Sequence, residues 1–181
     1  MIRLEYFERR DFNQLIKWID SETLLQHWSG NLFSFPLTNK SLEWYIEDTN
    51  EPGISDAFIY KAIDTETGDT VGHISLGTIS YKNRSARINR VLVGNTGLRR
   101  TGICQQMIQA VLKIGFEELK LHRISLGVYN NNIPAIKCYE KSGFKTEGYN
   151  RDILRFNDEW WSMIEMSILE EEWNESKIYD V

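Results

Sequence analysis

The chain has 181 residues, of which 41% are hydrophobic and 26% charged, and its formal net charge is −5. This length and composition are typical of one globular domain with its own hydrophobic core. The negative net charge argues against a general nucleic-acid-binding surface, which is rich in Lys and Arg. It weakly favours a cationic substrate, either a small amine or a basic peptide.

Neither the N-terminal sequence nor the cysteines indicate export. The chain begins in mixed polar sequence without the pattern of a signal peptide, and no apolar run is long enough to span a bilayer. The two cysteines, Cys104 and Cys138, are too few and too widely spaced for a disulfide framework. We therefore expect a protein of the reducing cytoplasm with no membrane contact, in which Cys104 fills space in the core.

The first part of the chain is predicted to form one strand followed by three short helices. Alternating apolar and polar side chains predict the strand at 2–7. Apolar residues at helical spacing predict the helices at 10–20, 22–28 and 39–49. The segment 29–37 contains Gly30 and Pro36 and is predicted to be a loop.

Three strands are predicted next, at 57–63, 70–79 and 86–93, and the first two form a hairpin around a turn at 64–69. On the third strand we expect the side chains to divide between two faces. Ala86, Ile88 and Leu92 are assigned to one face, and Val91 and Val93 to the other.

The second half alternates helix and strand. A helix is predicted at 103–119, a strand around 124–129, and a second helix from an N-cap at Asn132 to a stop at Gly143. A closing hairpin follows from Phe144, with its return strand at about 160–168. Together the elements predict a mixed α/β fold. It forms one domain over 1–169, and the acidic tail at 170–181 is expected to fray.

The segment 91–104 carries the clearest chemical signal. A strand ends, a glycine-containing loop turns, and a long helix begins, so that unpaired N–H groups at the helix start can bind an anion. Gly102 lets the backbone approach that anion, and Arg99 and Arg100 add positive charge. Neither the P-loop nor the dinucleotide-binding glycine pattern is present. By itself the turn predicts either an anion site or an ordinary helix start with exposed arginines.

Two motifs in order resemble those of the GNAT superfamily of N-acetyltransferases. Arg99-x-x-Gly102-x-Cys104 is similar to the pyrophosphate signature Q/R-x-x-G-x-G/A and departs from it at Cys104. One strand later, the segment 132–144 is similar to N-x-x-A-x-x-x-Y-x-x-x-G-F. The flanking segments resemble the branch that contains the ribosomal-protein N-terminal acetyltransferases.

The resemblance implies a central, strongly twisted, mostly antiparallel sheet of six or seven strands flanked by helices. It also implies acetyl-CoA as co-substrate, an amine as acceptor and no metal. Tyr139 matches the tyrosine that protonates the departing thiolate. The residues expected to bind the cofactor are Leu92, Val93, Arg99, Arg100, Thr101, Gly102, Ile103, Cys104, Asn132, Ala135 and Tyr139.

Several points stay open at this stage. The acceptor is either a protein N-terminal amine or a small amine such as an aminoglycoside, polyamine or amino acid, and a non-catalytic CoA-binding module is a third reading. The strand 86–93 lacks the carboxylate that many relatives use as general base, because Arg87, Asn89 and Arg90 occupy that region. The three histidines have no ligand spacing, so a structural or solvent role is favoured over metal binding. A homodimer is a further expectation.

Overall fold

The computed structural model describes residues 1–94, 97 and 102–178. The strands are β1 (Ile2–Tyr6), β2 (Phe58–Asp64), β3 (Thr70–Ser80), β4 (Ser85–Val93), β5 (Arg123–Tyr129), β6 (Lys145–Phe156) and β7 (Glu159–Leu169). The α-helices are α1 (Phe12–Trp18), α2 (Glu22–Ser29), α3 (Asn39–Ile46), α4 (Ile103–Lys113), α5 (Ile133–Lys141) and α6 (Glu170–Ile178). The predicted mixed α/β fold is confirmed, and most element boundaries lie within two or three residues of the prediction.

The seven strands form one sheet in the order β1-β2-β3-β4-β5-β7-β6. Every neighbouring pair is antiparallel except β4 and β5, which are joined through α4 and run parallel. This arrangement follows from the connections, because short turns join antiparallel strands whereas a helical crossover returns a parallel one. The mostly antiparallel sheet predicted from the sequence is therefore present.

The parallel pair β4–β5 is only partly closed. Ser85–Ile88 of β4 pair with Arg123–Leu126 of β5, and the pairing ends there although both strands continue. The backbones beyond Ile88 and Leu126 are consequently not hydrogen-bonded to each other, and a gap opens in the middle of the sheet. This gap positions the site described below.

Helices cover both faces of the sheet and enclose two hydrophobic cores. On one face, α1, α2 and α3 pack over β2 and β4 through a cluster that includes Phe12, Leu25, Leu42, Ile59 and Leu92. On the other face, α4 and α5 pack over the sheet through a larger cluster that includes Met107, Val111, Ile124, Leu126 and Tyr139. The apolar spacing that predicted the helices is thus the pattern of contacts with these cores.

A β-bulge in β4 changes which face each side chain takes. His73 of β3 lies opposite Leu92, and Ser75 lies opposite Asn89, so β4 has one more residue than β3 in this stretch. Arg90 adopts a positive φ of 52° within it. An extra residue moves every later side chain to the opposite face. The predicted division of the β4 side chains was therefore wrong. Leu92 packs with the α1–α3 core, whereas Val91 and Val93 pack against the core that contains Ala86 and Ile88.

The acidic segment after β7 continues as α6 rather than fraying over 170–178. Trp173 is 5% exposed, and its ring stacks on Phe116 with 5.9 Å between centroids. Burial of this ring anchors the helix to the core formed with α4, which the acidic composition of the segment concealed. None of the helices in the described part of the chain is long and apolar enough to cross a membrane.

Candidate active site

The gap between β4 and β5 contains a cavity of about 210 Å³, which is lined by residues from elements on both faces of the sheet. Its walls come from five elements: α2 on one face, α5 on the other, and β4, β5 and β7 between them. The residues that line it include His27, Gly30, Arg87, Arg90, Val91, Tyr129, Asn132 and Tyr139.

Asn132 lies at the start of α5 and has two roles in this arrangement. Its side-chain oxygen accepts a hydrogen bond from the backbone N–H of Ala135 at 3.4 Å, which is the N-cap predicted from the sequence. The same side chain lines the cavity, and its amide nitrogen can donate separately. Ala135 itself packs against the larger core and is not among the lining residues.

Tyr139 lies two turns after Asn132 in α5 and lines the same cavity. The side chain is buried and its ring packs near Phe144, with 6.2 Å between centroids. Burial raises the pKa of the Tyr139 hydroxyl above its ordinary value of 10.0, because the phenolate would lose solvation there. The hydroxyl therefore keeps its proton at neutral pH and is suited to donate it.

The wall formed by β4 consists of Arg87 to Val91, a stretch that contains the bulge. The Trp28 indole of α2 donates a hydrogen bond to the Arg90 backbone carbonyl at 3.0 Å and so ties α2 to the bulge. Leu92 and Val93, the residues predicted for the pantetheine arm, do not line this cavity. Leu92 is buried beneath α1–α3, and Val93 packs against the opposite core.

The predicted phosphate-binding turn is described only in part. Arg99, Arg100 and Thr101 lie outside the described residues. Gly102 is the N-cap of α4 and has a φ of +89°, a conformation that residues other than glycine rarely adopt. A Cβ added there would meet no atom of the described residues within 4 Å. Ile103 is buried in the core next to it.

Cys104 and Cys138 form a disulfide between the first turn of α4 and the middle of α5, with 6.3 Å between their Cα atoms. The expectation of two separate cysteines, with Cys104 filling space alone, was therefore wrong. Their 34-residue separation gave no sign of contact, because α4 and α5 meet only after β5 has been placed between them. The bond links α4, the helix that follows the predicted phosphate-binding turn, to α5, the helix that carries Tyr139.

The positive charge of Arg87 on the cavity wall is balanced by a carboxylate from β7. Arg87 makes a bidentate ion pair with Glu165, with N–O distances of 2.8 and 3.2 Å. Asn150 of β6 also donates to Glu165, at 3.3 Å. The sequence did not predict this pair, since the two residues are 78 positions apart.

The three histidines occupy different environments. His73 is buried beside Tyr45, whose hydroxyl lies 3.1 Å from its Nε2, and burial lowers its pKa to about 3. His122 is half-exposed near Glu170. His27 lines the cavity. Within the described residues, no group of three or more His, Cys, Asp or Glu side chains is arranged to hold a metal ion.

A second cavity of about 280 Å³ lies beside the first, and Arg90 lines both. The residues that line it include Trp44, Tyr45, Glu47 and Asp48. The Arg90 guanidinium lies over the Tyr45 ring at 4.8 Å from the centroid, which holds it in place by a cation–π contact.

Comparison with known proteins agrees with this architecture. The model of the acetyltransferase (GNAT) domain family matches residues 4–164. The chain is 37% identical over 169 residues to the uncharacterized N-acetyltransferase YnaD of Bacillus subtilis, covering 93% of each protein. It is 27% identical over 117 residues to the L-amino acid N-acetyltransferase AaaT of Escherichia coli, covering 65% of this chain and 69% of that protein.

Among solved structures, the chain is similar to spermidine N-acetyltransferase from Vibrio cholerae in complex with CoA and spermine. The TM-score is 0.81 and the identity 21%, with 96% of this chain and 98% of the other covered. At that identity the likeness establishes the fold. The family match establishes more: the chain belongs to the GNAT acetyltransferase family. It is an N-acetyltransferase that uses acetyl-CoA, as the two motifs implied.

Proposed function

We propose that the protein transfers the acetyl group of acetyl-CoA to a small primary amine, with Tyr139 as the acid that protonates the departing thiolate. The observation that supports this most is the cavity through the gap between β4 and β5. It brings Tyr139 and Asn132 together beside β4, close in the fold to the start of α4 at Gly102.

The cofactor fits this arrangement from the α4 side. Its pyrophosphate would bind at the turn that ends at Gly102, where Arg99, Arg100 and Thr101 add charge and donors. Its pantetheine arm would follow β4 into the gap, where Asn132 can donate to an amide of the arm. The thioester sulfur would then lie within reach of the Tyr139 hydroxyl. The amine nitrogen forms its bond to the acetyl carbon, and the bond from that carbon to sulfur breaks.

Cavity size and charge favour a small acceptor over a protein N-terminus. The second cavity, of about 280 Å³, adjoins the reaction cavity and is close in size to sites that hold small molecules. Its acidic lining residues, Glu47 and Asp48, suit an amine that carries positive charge. Among the relatives, the Vibrio cholerae protein is a spermidine N-acetyltransferase and the Escherichia coli protein acts on L-amino acids.

A panel of acceptors tests this proposal. Thiol release from acetyl-CoA is measured with polyamines, aminoglycosides, amino acids and short peptides that mimic ribosomal-protein N-termini. We expect saturable turnover with at least one small amine and a kcat/KM at least tenfold higher than with any peptide. Preference for a peptide would place the chain in the ribosomal-protein branch instead. Binding of acetyl-CoA in calorimetry without turnover of any amine would indicate a non-catalytic CoA-binding module.

We expect the protein to act in the cytoplasm, where acetyl-CoA is available, and to form a homodimer. In that compartment cellular thiols keep most cysteines reduced, so the Cys104–Cys138 bond would be the oxidised form of the pair. For a dimer, the exposed ring of Trp160 on β7 is a candidate contact, whereas Trp161 beside it points into the protein. Sedimentation of the wild type and of Trp160→Ser tests that contact.

A further inference from the structure

The amine must lose a proton as it attacks, and β4 offers no carboxylate to receive it. Among the described residues that line the cavity, Arg87 and Arg90 are cations, and Tyr129 and Tyr139 are phenols. Burial raises the pKa of both phenols, so neither is a base near neutral pH. His27 is the remaining titratable side chain on the walls.

His27 lies in the last turn of α2, on the face of the sheet opposite to Tyr139. Its ring stacks on Trp161 of β7 with 4.6 Å between centroids, and it meets the Tyr129 ring in an edge-to-face contact with 6.3 Å between centroids. Gly30, three residues later, leaves room for the Tyr129 hydroxyl, since a Cβ there would come within 2.8 Å of it. The imidazole is therefore held by aromatic rings at the wall of the cavity.

These contacts leave the nitrogens of His27 uncommitted within the described part of the chain. Nδ1 is buried without a hydrogen-bond partner, and the side chain makes no ion pair there. A histidine kept only for packing usually has its buried nitrogen hydrogen-bonded, because an unmet polar atom costs free energy. The buried Nδ1 of His73 also lacks a partner, but the Nε2 of His73 lies 3.1 Å from the Tyr45 hydroxyl, whereas His27 makes no hydrogen bond of this kind within the described residues.

We propose that the His27 imidazole accepts the proton that the acceptor amine loses when its nitrogen attacks the thioester carbonyl. The inference rests on the proposed function. The nitrogen–carbon bond forms as the carbon–sulfur bond breaks, the amine proton goes to His27, and the Tyr139 proton goes to the thiolate. Exchange with solvent then restores both side chains. Base and acid lie on opposite faces of the sheet, and the gap between β4 and β5 connects them.

The charge state of His27 suits this role. Burial lowers its pKa below the ordinary value of 6.5, so the ring is neutral and able to accept a proton at pH 7. The charged groups that face it are Arg87 and Arg90 from β4. Both belong to the cavity wall. Arg87 is neutralised by its ion pair with Glu165. Activity should therefore fall as the pH drops through the His27 pKa, below 6.5.

The test is the pH dependence of kcat/KM for wild type, His27→Gln and the matched control His122→Gln, which alters a half-exposed histidine near Glu170. His27→Gln should lose about 10²-fold in kcat/KM at pH 7, the usual contribution of a general base. Its acidic inflection should disappear, and its rate should rise with the fraction of free amine. Acetyl-CoA affinity should change by less than about threefold. The control should behave as wild type.

Two further measurements test whether His27 is the group that accepts the proton. In the wild type, the pKa of His27 followed by NMR should equal the kinetic inflection. In His27→Ala, added imidazole should restore part of the rate. An unchanged pH profile in His27→Gln, or an NMR pKa that differs from the kinetic one by a full pH unit, would overturn the role of His27 alone. Absence of turnover by the wild type on every amine would overturn the proposed function and this inference with it.

Discussion

Tyr139 is the residue whose proposed role, as the proton donor to the thiolate, is supported by its motif, its position at the cavity and the raised pKa of its hydroxyl. Replacing it with Phe removes the hydroxyl and keeps the ring that packs near Phe144. We expect kcat to fall by about 10²-fold, because the thiolate then leaves without a proton donor. The affinity for acetyl-CoA, measured by calorimetry, should change little. Full kcat in Tyr139→Phe would remove this hydroxyl from the mechanism.

Lys61 is a buried charge that composition gave no reason to expect. Its ammonium group on β2 lies 3.0 and 3.2 Å from the two carboxylate oxygens of Asp11, which precedes α1. Both side chains are nearly inaccessible, at 8% and 11% exposure. The ion pair therefore fastens the start of α1 to the sheet.

Removing one partner of this ion pair should lower the stability of the folded protein substantially. Asp11→Asn leaves the Lys61 charge in the interior with only Glu5, 4.0 Å away, as a nearby carboxylate. We expect the free energy of unfolding in urea to fall by roughly 3 kcal/mol. Arg155→Gln, which breaks an exposed ion pair with Asp158, is the control and should change it by less than about 1 kcal/mol. Equal effects of the two variants would contradict a stabilising role of the buried Lys61–Asp11 ion pair.

At the scale of elements, the disulfide joins α4 and α5, the two helices that carry the recognised motifs. A cross-link of this kind stabilises the fold mainly by restricting the unfolded chain. We expect reductant, or the double variant Cys104→Ser/Cys138→Ser, to lower the free energy of unfolding by roughly 2–4 kcal/mol. Reductant should have no effect on the double variant. A urea midpoint of the wild type that is insensitive to reductant would show that the bond does not contribute.

The bulge in β4 shows how an element can depart from its sequence pattern. Alternation in 86–93 predicts a regular strand, but the extra residue sends Leu92 to the α1–α3 core. A bulge of this kind leaves one residue outside regular pairing. It occurs where β4 separates from β5, so the irregular stretch also forms the cavity wall.

For the molecule as a whole, acetyl-CoA should hold the two halves of the sheet together, because the site proposed for it includes residues of α4, α5 and β4. A ligand that binds only the folded state stabilises it by about 2.7 kcal/mol at a hundredfold excess over its Kd. We expect acetyl-CoA at that excess to raise Tm by about 5–10 °C in a thermal scan. Gly102→Ala, which adds a Cβ at a φ of +89°, should show a smaller shift. No shift in the wild type would contradict cofactor binding.

The sequence by itself determined the fold class, the order of the elements, the cofactor and the position of Tyr139. These features depend on local patterns: hydrophobic spacing, the N-cap at Asn132 and the glycine at 102. Such patterns act within a few residues, so they can be recognised in one dimension.

Only the tertiary structure decided which distant residues meet. It paired Arg87 with Glu165 across 78 positions and Lys61 with Asp11 across 50, and it joined the two cysteines. It also brought His27 from α2 to the cavity that holds Tyr139 from α5. Contacts of this kind depend on how the sheet is ordered and where β4 and β5 separate. The spacing of residues along the chain does not predict these contacts, because it reflects only the helix or strand to which each partner belongs.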